Sequence, residues 1–586
     1  MKKILLFIIT VNIAFMSYSH DFSAVCPSGQ MLYYNIISEE DATVSITYPD
    51  YGWGWDGEII SGELELPSHV EYNGINYTVT EIGSSAFSST NITGSLVIPN
   101  TVTEIGYQAF LFCQGLDGTL TLPESIRSIG TMAFSLCQFT GELVLPDAGK
   151  SISIGEKAFS NNNFSGELYI PQSVKYVGNS AFYGCNNFNS LTIAENSITY
   201  ISSEAFRYCR NMTELNIYAN IEKVYSNAFL DSGYYLDSTK WDGDLLYYED
   251  ILLNARNDIS GVVDIRDNTR LIAGSAFADC SSLTNVNFPN SLKSINISAF
   301  YGCSSLADVN FQNSLENIDA SAFQRCNSLE SVVIPESVRS VGDRAFSECN
   351  NLESVTILSD DITIKQYFIL DSDVKSISIE SMNIPLIDNN AFDGIPDTIP
   401  IYVPCGMKDE YSAAEFWNRF TNYRESLFFV FNVTSNDISM GSVSVIQEPG
   451  CDDDLAIVTA LANQGYEFVN WTKNGNIVST EETYSFILDE DVDIVANFVS
   501  TTLSLEESTK TNLYAYPNPG ENILNIRTAL PEGRIEVYDI MGKVIYKQDI
   551  TEEVTKIPTE GWAKGMYLWR VYSEGKEAEG GKWIKQ

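Results

Sequence analysis

One dipeptide, Ala-Phe, recurs along this chain at nearly constant spacing. It stands at Ala86-Phe87, Ala109-Phe110, Ala133-Phe134, Ala158-Phe159, Ala181-Phe182, Ala205-Phe206 and Ala228-Phe229. It resumes at Ala276-Phe277, Ala299-Phe300, Ala322-Phe323 and Ala345-Phe346, and ends at Ala391-Phe392. Successive phenylalanines lie 23, 24, 25, 23, 24, 23, 48, 23, 23, 23 and 46 residues apart, so the two long steps are double steps of one period. A unit that short buries its apolar face only by stacking on its neighbours, which makes a solenoid. The period lies in the range of leucine-rich repeats and points towards binding rather than catalysis.

The best-kept repeats run from Phe277 to Phe346. Three residues after each Phe comes Cys280, Cys303, Cys326 or Cys349, and six after it Leu283, Leu306, Leu329 or Leu352. Val286, Val309, Val332 and Val355 follow at +9, and Phe288, Phe311, Ile334 and Ile357 at +11. Mostly polar residues at +8 and +10 complete the alternation of a half-buried strand. A proline that often follows, as at Pro289 and Pro335, suits the end of that strand. A second short apolar pair leads into the next Ala-Phe turn. Thirteen steps at the inter-strand spacing give a β-rich rod on the order of 60 Å long. Two turns, around Asp244–Ala255 and Asp361–Ser372, lack the mark and read as degenerate, with room for an insertion.

Blocks of the type Ile334-Pro-Glu-Ser-Val338 to Val341-Gly-Asp-Arg-Ala-Phe346-Ser-Glu-Cys349 resemble the bacteroidal surface-antigen (BspA-like) leucine-rich repeat family over most of Val79–Phe392. That resemblance implies a surface solenoid with an adhesive role. It also identifies Ile401-Tyr-Val-Pro404 through Trp417 and Phe420 as a closing turn and amphipathic capping helix, which covers the last apolar face. The domain reading is a signal at 1–19, an N-terminal cap at 20–80, the solenoid with its cap at 81–426, a β module at 427–500, a linker at 501–512 and a final β-sandwich at 513–586.

The signal reading rests on Met1-Lys2-Lys3, the apolar run Ile4–Phe15 and the small residues Ser17 and Ser19. No other apolar run is long enough to span a membrane. The chain has 77 acidic residues against 34 Lys plus Arg, a net charge of −43. That disfavours nucleic acid and anionic membrane surfaces as partners. An exported chain with 11 cysteines invites disulfides. However, Cys113, Cys137, Cys185, Cys209, Cys280, Cys303, Cys326 and Cys349 all stand at +3 of the repeat, where a free thiol packs as a small buried hydrophobe. Stacked cysteines do not converge as zinc ligands do.

Past the cap the period stops. Gly465-Tyr-Glu-Phe-Val-Asn-Trp471, the hairpin signal Asn474-Gly475 and Val495-Ala-Asn-Phe498 make Phe429–Phe498 similar to an internalin-type B repeat. Asp452-Asp453-Asp454 lacks the spaced ligands of a calcium loop and reads as an exposed acidic turn. Residues 513–586 hold 10 basic and 11 acidic residues, so the acidity lies upstream. Tyr516-Pro517-Asn518-Pro519, Tyr538-Asp539 with Gly542, Gly565-Met-Tyr567 and the basic end with Lys582 and Lys585 resemble the C-terminal sorting domain of type IX secretion substrates. That resemblance implies handling by the secretion machinery, then release or attachment at the cell surface.

Catalytic motifs are lacking. The chain has two histidines, His20 and His69, and neither a G-x-S-x-G nor an H-E-x-x-H sequence. We therefore expect no enzyme, no cofactor and no metal. Two places suit a partner, a host or microbial surface protein or a glycan. One is the open strand face, with Ser190, Thr192, Glu214, Asn216, Asn285, Asn287, Asp308 and Asn310, and also Ser331 and Thr356. A merely solvated strand face accounts for the same residues. The other is Tyr51-Gly-Trp53-Gly-Trp55-Asp-Gly57, whose aromatics either stack on sugars or bury the first turn as a cap. A structural surface-layer role and a glycan-binding accessory role stand as alternatives to adhesion.

Overall fold

In a computed structural model of the chain, residues 20–48, 60–147, 150–429, 431–451, 455–501, 514–517, 520–528, 533–540, 543–573 and 576–586 are described. The signal segment, Trp53 and Trp55, Asp452–Asp454, most of the linker, Asn518, Pro519 and Gly542 lie outside them. Two compact units are present. One holds the solenoid together with segments 447–456 and 486–491, and the other holds 431–446, 457–485 and 492–586.

The solenoid is a stack of about 15 turns. Each turn contributes one strand to each of two parallel series. In one series Ser128–Ile129 pairs with Glu104–Ile105 and Ile152–Ile154; in the other Gly166–Ile170, Phe188–Ile193 and Glu214–Ile217 lie in parallel register. Between them the Ala-Phe segment forms a corner of alternating handedness. Gln108 and Phe112, two residues either side of Phe110, have φ of 53° and 60°. The flips turn every second N–H along the stack. Gln108, Phe110 and Phe112 donate to the carbonyls of Thr131, Ala133 and Ser135 in the next turn, at 2.9, 2.7 and 3.1 Å. The intervening Ala109, Leu111 and Cys113 donate back to residues three before them. Every repeat phenylalanine is buried. From Phe87 to Phe229 and again from Phe277 to Phe346 the rings stack at 4.8–5.8 Å with planes within 19°.

The +3 position has a role beyond filling space. Cys113, Cys137, Cys303 and Cys349 each donate their thiol to the carbonyl of the phenylalanine one turn back, at 2.9–3.2 Å. Where cysteine is missing, another donor replaces it: Asn162 Nδ2 reaches Phe134 O at 2.7 Å, and Ser372 Oγ reaches Phe346 O at 2.9 Å.

Ser372 shows that the turn at Asp361–Ser372 is complete. Phe368-Ile369 takes the place of Ala-Phe, and Tyr367 and Asp371 carry the two left-handed φ values, 59° and 58°. Phe368 sits where alanine usually stands, and its ring meets Phe346 edge-on at 86°. The reading of a degenerate turn with an insertion fails here, because the backbone pattern survives a change of both signature residues. The other long step does hold an insertion. Gly233–Leu236 is a helical turn, and Leu245–Tyr248 and Ile251–Ala255 form an antiparallel hairpin. Gly274 N–H donates across the gap to Val224 O at 2.7 Å, so the flanking turns meet directly on one side.

Both ends are closed by chain that departs from the repeat. At the start Phe22–Val25, Met31–Ser38 and Thr43–Thr47 form a meander whose last strand pairs in parallel with Ile75–Ile82. Phe22 stacks on Tyr72 at 4.2 Å and on Tyr34 at 5.1 Å, so described aromatics cap this end. At the far end parallel stacking continues beyond Phe392, through Pro400–Pro404 to Asn422–Ser426. Between those strands helix Lys408–Ala413 and a short turn place Trp417 over Phe392, with ring centroids 5.2 Å apart. Cys405, in the turn before this helix, is disulfide-bonded to Cys451, a pairing the sequence did not reveal. The other nine cysteines are free and buried.

In the second unit Phe431–Ser435, Val492–Ser500, Tyr466–Lys473 and Asn476–Ser479 form one sheet, and Gly441–Gln447, Leu455–Ala462 and Thr483–Ile487 another. Asn474 and Gly475, with φ of 50° and 83°, make the expected tight hairpin turn. The last residues form a three-stranded and a four-stranded sheet around Trp569, Trp583, Ile535 and Val537. Val554–Pro558 is a strand that sequence reading passed over.

Burial raises the ladder thiols, to about 11 for Cys113 and Cys280 and about 12 for Cys185 and Cys349. An unfolded thiol ionises near 8.5. Stability is therefore complete below that value and falls as pH rises from about 9 towards 11–12. We expect the urea midpoint to hold from pH 6 to 8 and then to decline, with a shallower decline in Cys185→Ser; equal slopes would count against a thiol origin. In Cys326→Ser the donor to Phe300 is kept, whereas Cys326→Val lacks it and should lose about 1 kcal/mol more in chemical denaturation. Equal losses would remove the hydrogen-bond role.

Candidate functional site

The strand face is built by alternation. Leu168, Leu191 and Leu215 align inward, while Glu167, Ser190 and Glu214, and Tyr169, Thr192 and Asn216, align outward in two rows. The four predicted residues of this group therefore stand together on one three-stranded sheet. They are linked sideways: Thr192 Oγ1 donates to Glu167, Asn216 Nδ2 donates to Thr192 Oγ1 at 3.3 Å, and Glu214 pairs with Lys240 of the insertion at 3.3 Å. Asn285, Asn287 and Asp308 lie on a second sheet, where Asn285 aligns with Asp308 and Asn287 Nδ2 donates to Asp264 Oδ1 at 2.6 Å. Asn310 follows just after the strand Asp308–Val309. The Gly233–Ala255 segment separates the two groups in the chain, and they belong to different sheets. Ser331 and Thr356 sit on a further sheet.

The outward row is less polar than the sequence reading implied. In register with the predicted residues or at equivalent places stand Val97, Val144, Tyr169, Val262 and Val333, each at least 40% exposed. At the far end Thr356, Ser378, Tyr402 and Arg424 continue one row, with the guanidinium 5.9 Å from the Tyr402 ring centre. Their signal was the same outward position, +10 for Val97, Val144, Tyr169 and Val333 and +8 for Val262, read without regard to residue type.

Two clefts open on the Ala-Phe side. One, of about 470 Å³, is lined by Asn161, Tyr183, Asn186, Tyr208, Arg210 and Asn211. The other, of about 410 Å³, lies by the insertion and includes Asn227, Tyr235, Asn254, Asp279 and Tyr301. Among the described residues no group of three or more His, Cys, Asp or Glu is placed to hold a metal ion.

In the terminal sandwich Tyr516 ends the strand Tyr514–Tyr516, and Pro517 O accepts a hydrogen bond from Trp583 Nε1 at 2.5 Å. Gly565 pairs with Lys585 and Tyr567 with Trp583, and Tyr567 Oη donates to Ala563 O at 2.6 Å. Lys582 is exposed, whereas Lys585 is buried and its amine donates to Thr559 O. The motif residues described are thus gathered where the first strand meets the last.

These features define a leucine-rich-repeat solenoid followed by small β domains. The chain belongs to the BspA-type leucine-rich repeat family, whose model matches in six copies over 68–117, 80–153, 118–236 and 270–397, just over half of the chain. Residues 431–502 match the divergent InlB B-repeat domain, and 514–586 match the secretion system C-terminal sorting domain. A leucine-rich repeat protein from Bacteroides ovatus is 24% identical, covering 67% of this chain and 98% of that one at a TM-score of 0.33. A leucine-rich cell surface protein from Faecalibacterium prausnitzii is 22% identical over 62% and 95%, at 0.31. The pneumococcal vaccine antigen PcpA is 19% identical over 67% and 95%, at 0.31. No curated protein matches. The sorting domain and the repeat family make this a secreted or cell-surface protein handled by type IX secretion. No helix of the described residues is long and apolar enough to cross a membrane. The repeat family and fold are of a kind that is typically not enzymatic.

Proposed function

We propose that the protein is a binding protein of the cell exterior, without enzymatic activity, that engages protein or glycan surfaces through the strand face of its solenoid. The observation that carries this reading is the outward row at +10. Tyr169, Thr192 and Asn216 lie in strict register, as do Val333, Thr356 and Ser378. Side chains repeated at the inter-strand spacing form a stiff, regular surface, so a partner meets many weak contacts without ordering the protein first. Exposed Tyr169 among valines, short hydroxyls and amides supplies an anchor of the kind that carries interface energy. Glu167 and Asn216 hold Thr192 in place from both sides, which further fixes the surface.

Binding of the full chain to arrays of matrix proteins and glycans tests this. At least one ligand should bind, and the double substitution Thr192→Arg, Asn216→Arg should weaken it about tenfold. No ligand, or a ligand indifferent to that substitution, would leave the strand face as a solvated surface. The tail is tested separately. Deleting 516–586 should hold the protein in the periplasm, and surface display without the tail would refute its sorting role.

A further inference from the structure

The cleft of about 470 Å³ on the Ala-Phe side differs in chemistry from the rest of this acidic surface. The chain carries a net charge of −43, yet Arg210 stands exposed here and has no carboxylate partner among the described residues. Arg207 beside it is already engaged, donating to Glu204 Oε1 at 2.6 Å and to Tyr208 Oη at 3.2 Å. Both guanidiniums lie against the Tyr208 ring, at 4.8 Å for Arg207 and 5.8 Å for Arg210. Tyr208 thus lies beside one neutralised cation and one that has no carboxylate partner among the described residues. The half-exposed Tyr183 ring meets Tyr208 at 80°, so the two rings form a corner rather than a stack.

The gap has a cause in the repeat. Two residues after the phenylalanine, successive turns carry Asn161, Gly184 and Tyr208. Glycine in the middle turn leaves open the space between its neighbours; a Cβ on Gly184 would lie 2.5 Å from Asn161 Oδ1. The Asn161 and Asn211 side chains make no hydrogen bond among the described residues, and Asn186 spends only Nδ2, on Gly184 O at 3.1 Å. The cleft therefore offers an aromatic wall, several unspent amide groups and one unpaired guanidinium. A pyranose ring presents a C–H face for the aromatic wall and hydroxyls for the amides. A carboxylate on that ring would give Arg210 a charge-assisted partner. We propose that this cleft binds an acidic saccharide, a sugar unit bearing a carboxylate. The site lies on the Ala-Phe side and does not rest on the strand-face reading.

Titration of the full chain with trigalacturonate and 3′-sialyllactose, followed by calorimetry and ligand-observed NMR, tests the assignment. Lactose and a short oligoglutamate peptide serve as comparison probes. At least one acidic saccharide should bind, with lactose and the peptide each about tenfold weaker or more. Arg210→Gln, an exposed change, should cost about tenfold in affinity at an unchanged thermal midpoint. Tyr183→Ala should also weaken binding, whereas Thr192→Arg on the strand face should leave it unaltered. Failure of both acidic saccharides to bind would overturn the proposal. So would equal affinity for lactose or the peptide, or indifference to Arg210→Gln.

Discussion

The structure depends on a flip of backbone handedness on each side of the repeat phenylalanines from Phe87 to Phe346. A left-handed conformation costs an L-residue ~1–2 kcal/mol, and most repeats accept it twice, with glycine relieving the second place at Gly184 and Gly302. In return, three successive outward N–H groups point along the stack and meet the carbonyls of the next turn, as at Gln108, Phe110 and Phe112. Hydrogen bonds of ~0.5–1.5 kcal/mol each roughly offset that strain and do not exceed it by much. The decisive term is the ring. Burying a phenylalanine contributes ~1.5–3 kcal/mol, and stacking on its neighbour adds to this. Neither gain is available to one turn alone, so the corner is stable only as part of an array.

That coupling explains what the sequence displayed and what it hid. Ala-Phe is conspicuous because both residues are buried at every corner that carries the pair, with the rings stacked from turn to turn along most of the array. The backbone pattern, however, constrains geometry more than identity. Phe368-Ile369 keeps the bonds accepted from the preceding turn, at Gln366, Phe368 and Leu370, and the left-handed flanks at Tyr367 and Asp371 while losing both signature residues. A reading keyed to the dipeptide misses that turn. The same holds at +3. Cysteine, asparagine and serine look unrelated as hydrophobes, yet as donors to a phenylalanine carbonyl they are equivalent.

The surface was legible to a different degree. Period-two alternation identifies which strand residues face out, and Ser190 with Glu214 and Thr192 with Asn216 do align. It does not reveal that the insertion divides this face, nor that valines and tyrosines share the exposed row. The acidic-saccharide cleft was less legible still. Tyr183, Tyr208, Arg210 and Asn211 stand at +1, +2, +4 and +5, around the +3 ladder position, where the repeat tolerates many polar residues and so carries no periodic signal. Only the stacking brings Asn161, Gly184 and Tyr208 side by side.

The contrast between one disulfide and nine free thiols in an exported chain follows from the same stacking. Thiolate is the reactive form, and burial pushes Cys185 to about 12, leaving on the order of one part in 100,000 ionised at pH 7. The ladder thiols are also occupied, since Cys185 donates to Phe159 O at 3.2 Å and Cys209 to Phe182 O at 3.1 Å. Oxidising such a pair would cost both hydrogen bonds and open a buried column to reagent. Cys405 and Cys451 lie outside the ladder, the first partly exposed and the second exposed. Their bond ties the turn that follows the strand Pro400–Pro404 to a segment 46 residues further on. A terminal repeat has a neighbour on one side only, so part of the stacking energy available to inner turns is missing there. A covalent link that restricts the unfolded chain acts where that deficit lies. The fold thus keeps its eight ladder cysteines reduced where packing suffices and joins Cys405 to Cys451 at the C-terminal end, where the stack runs out.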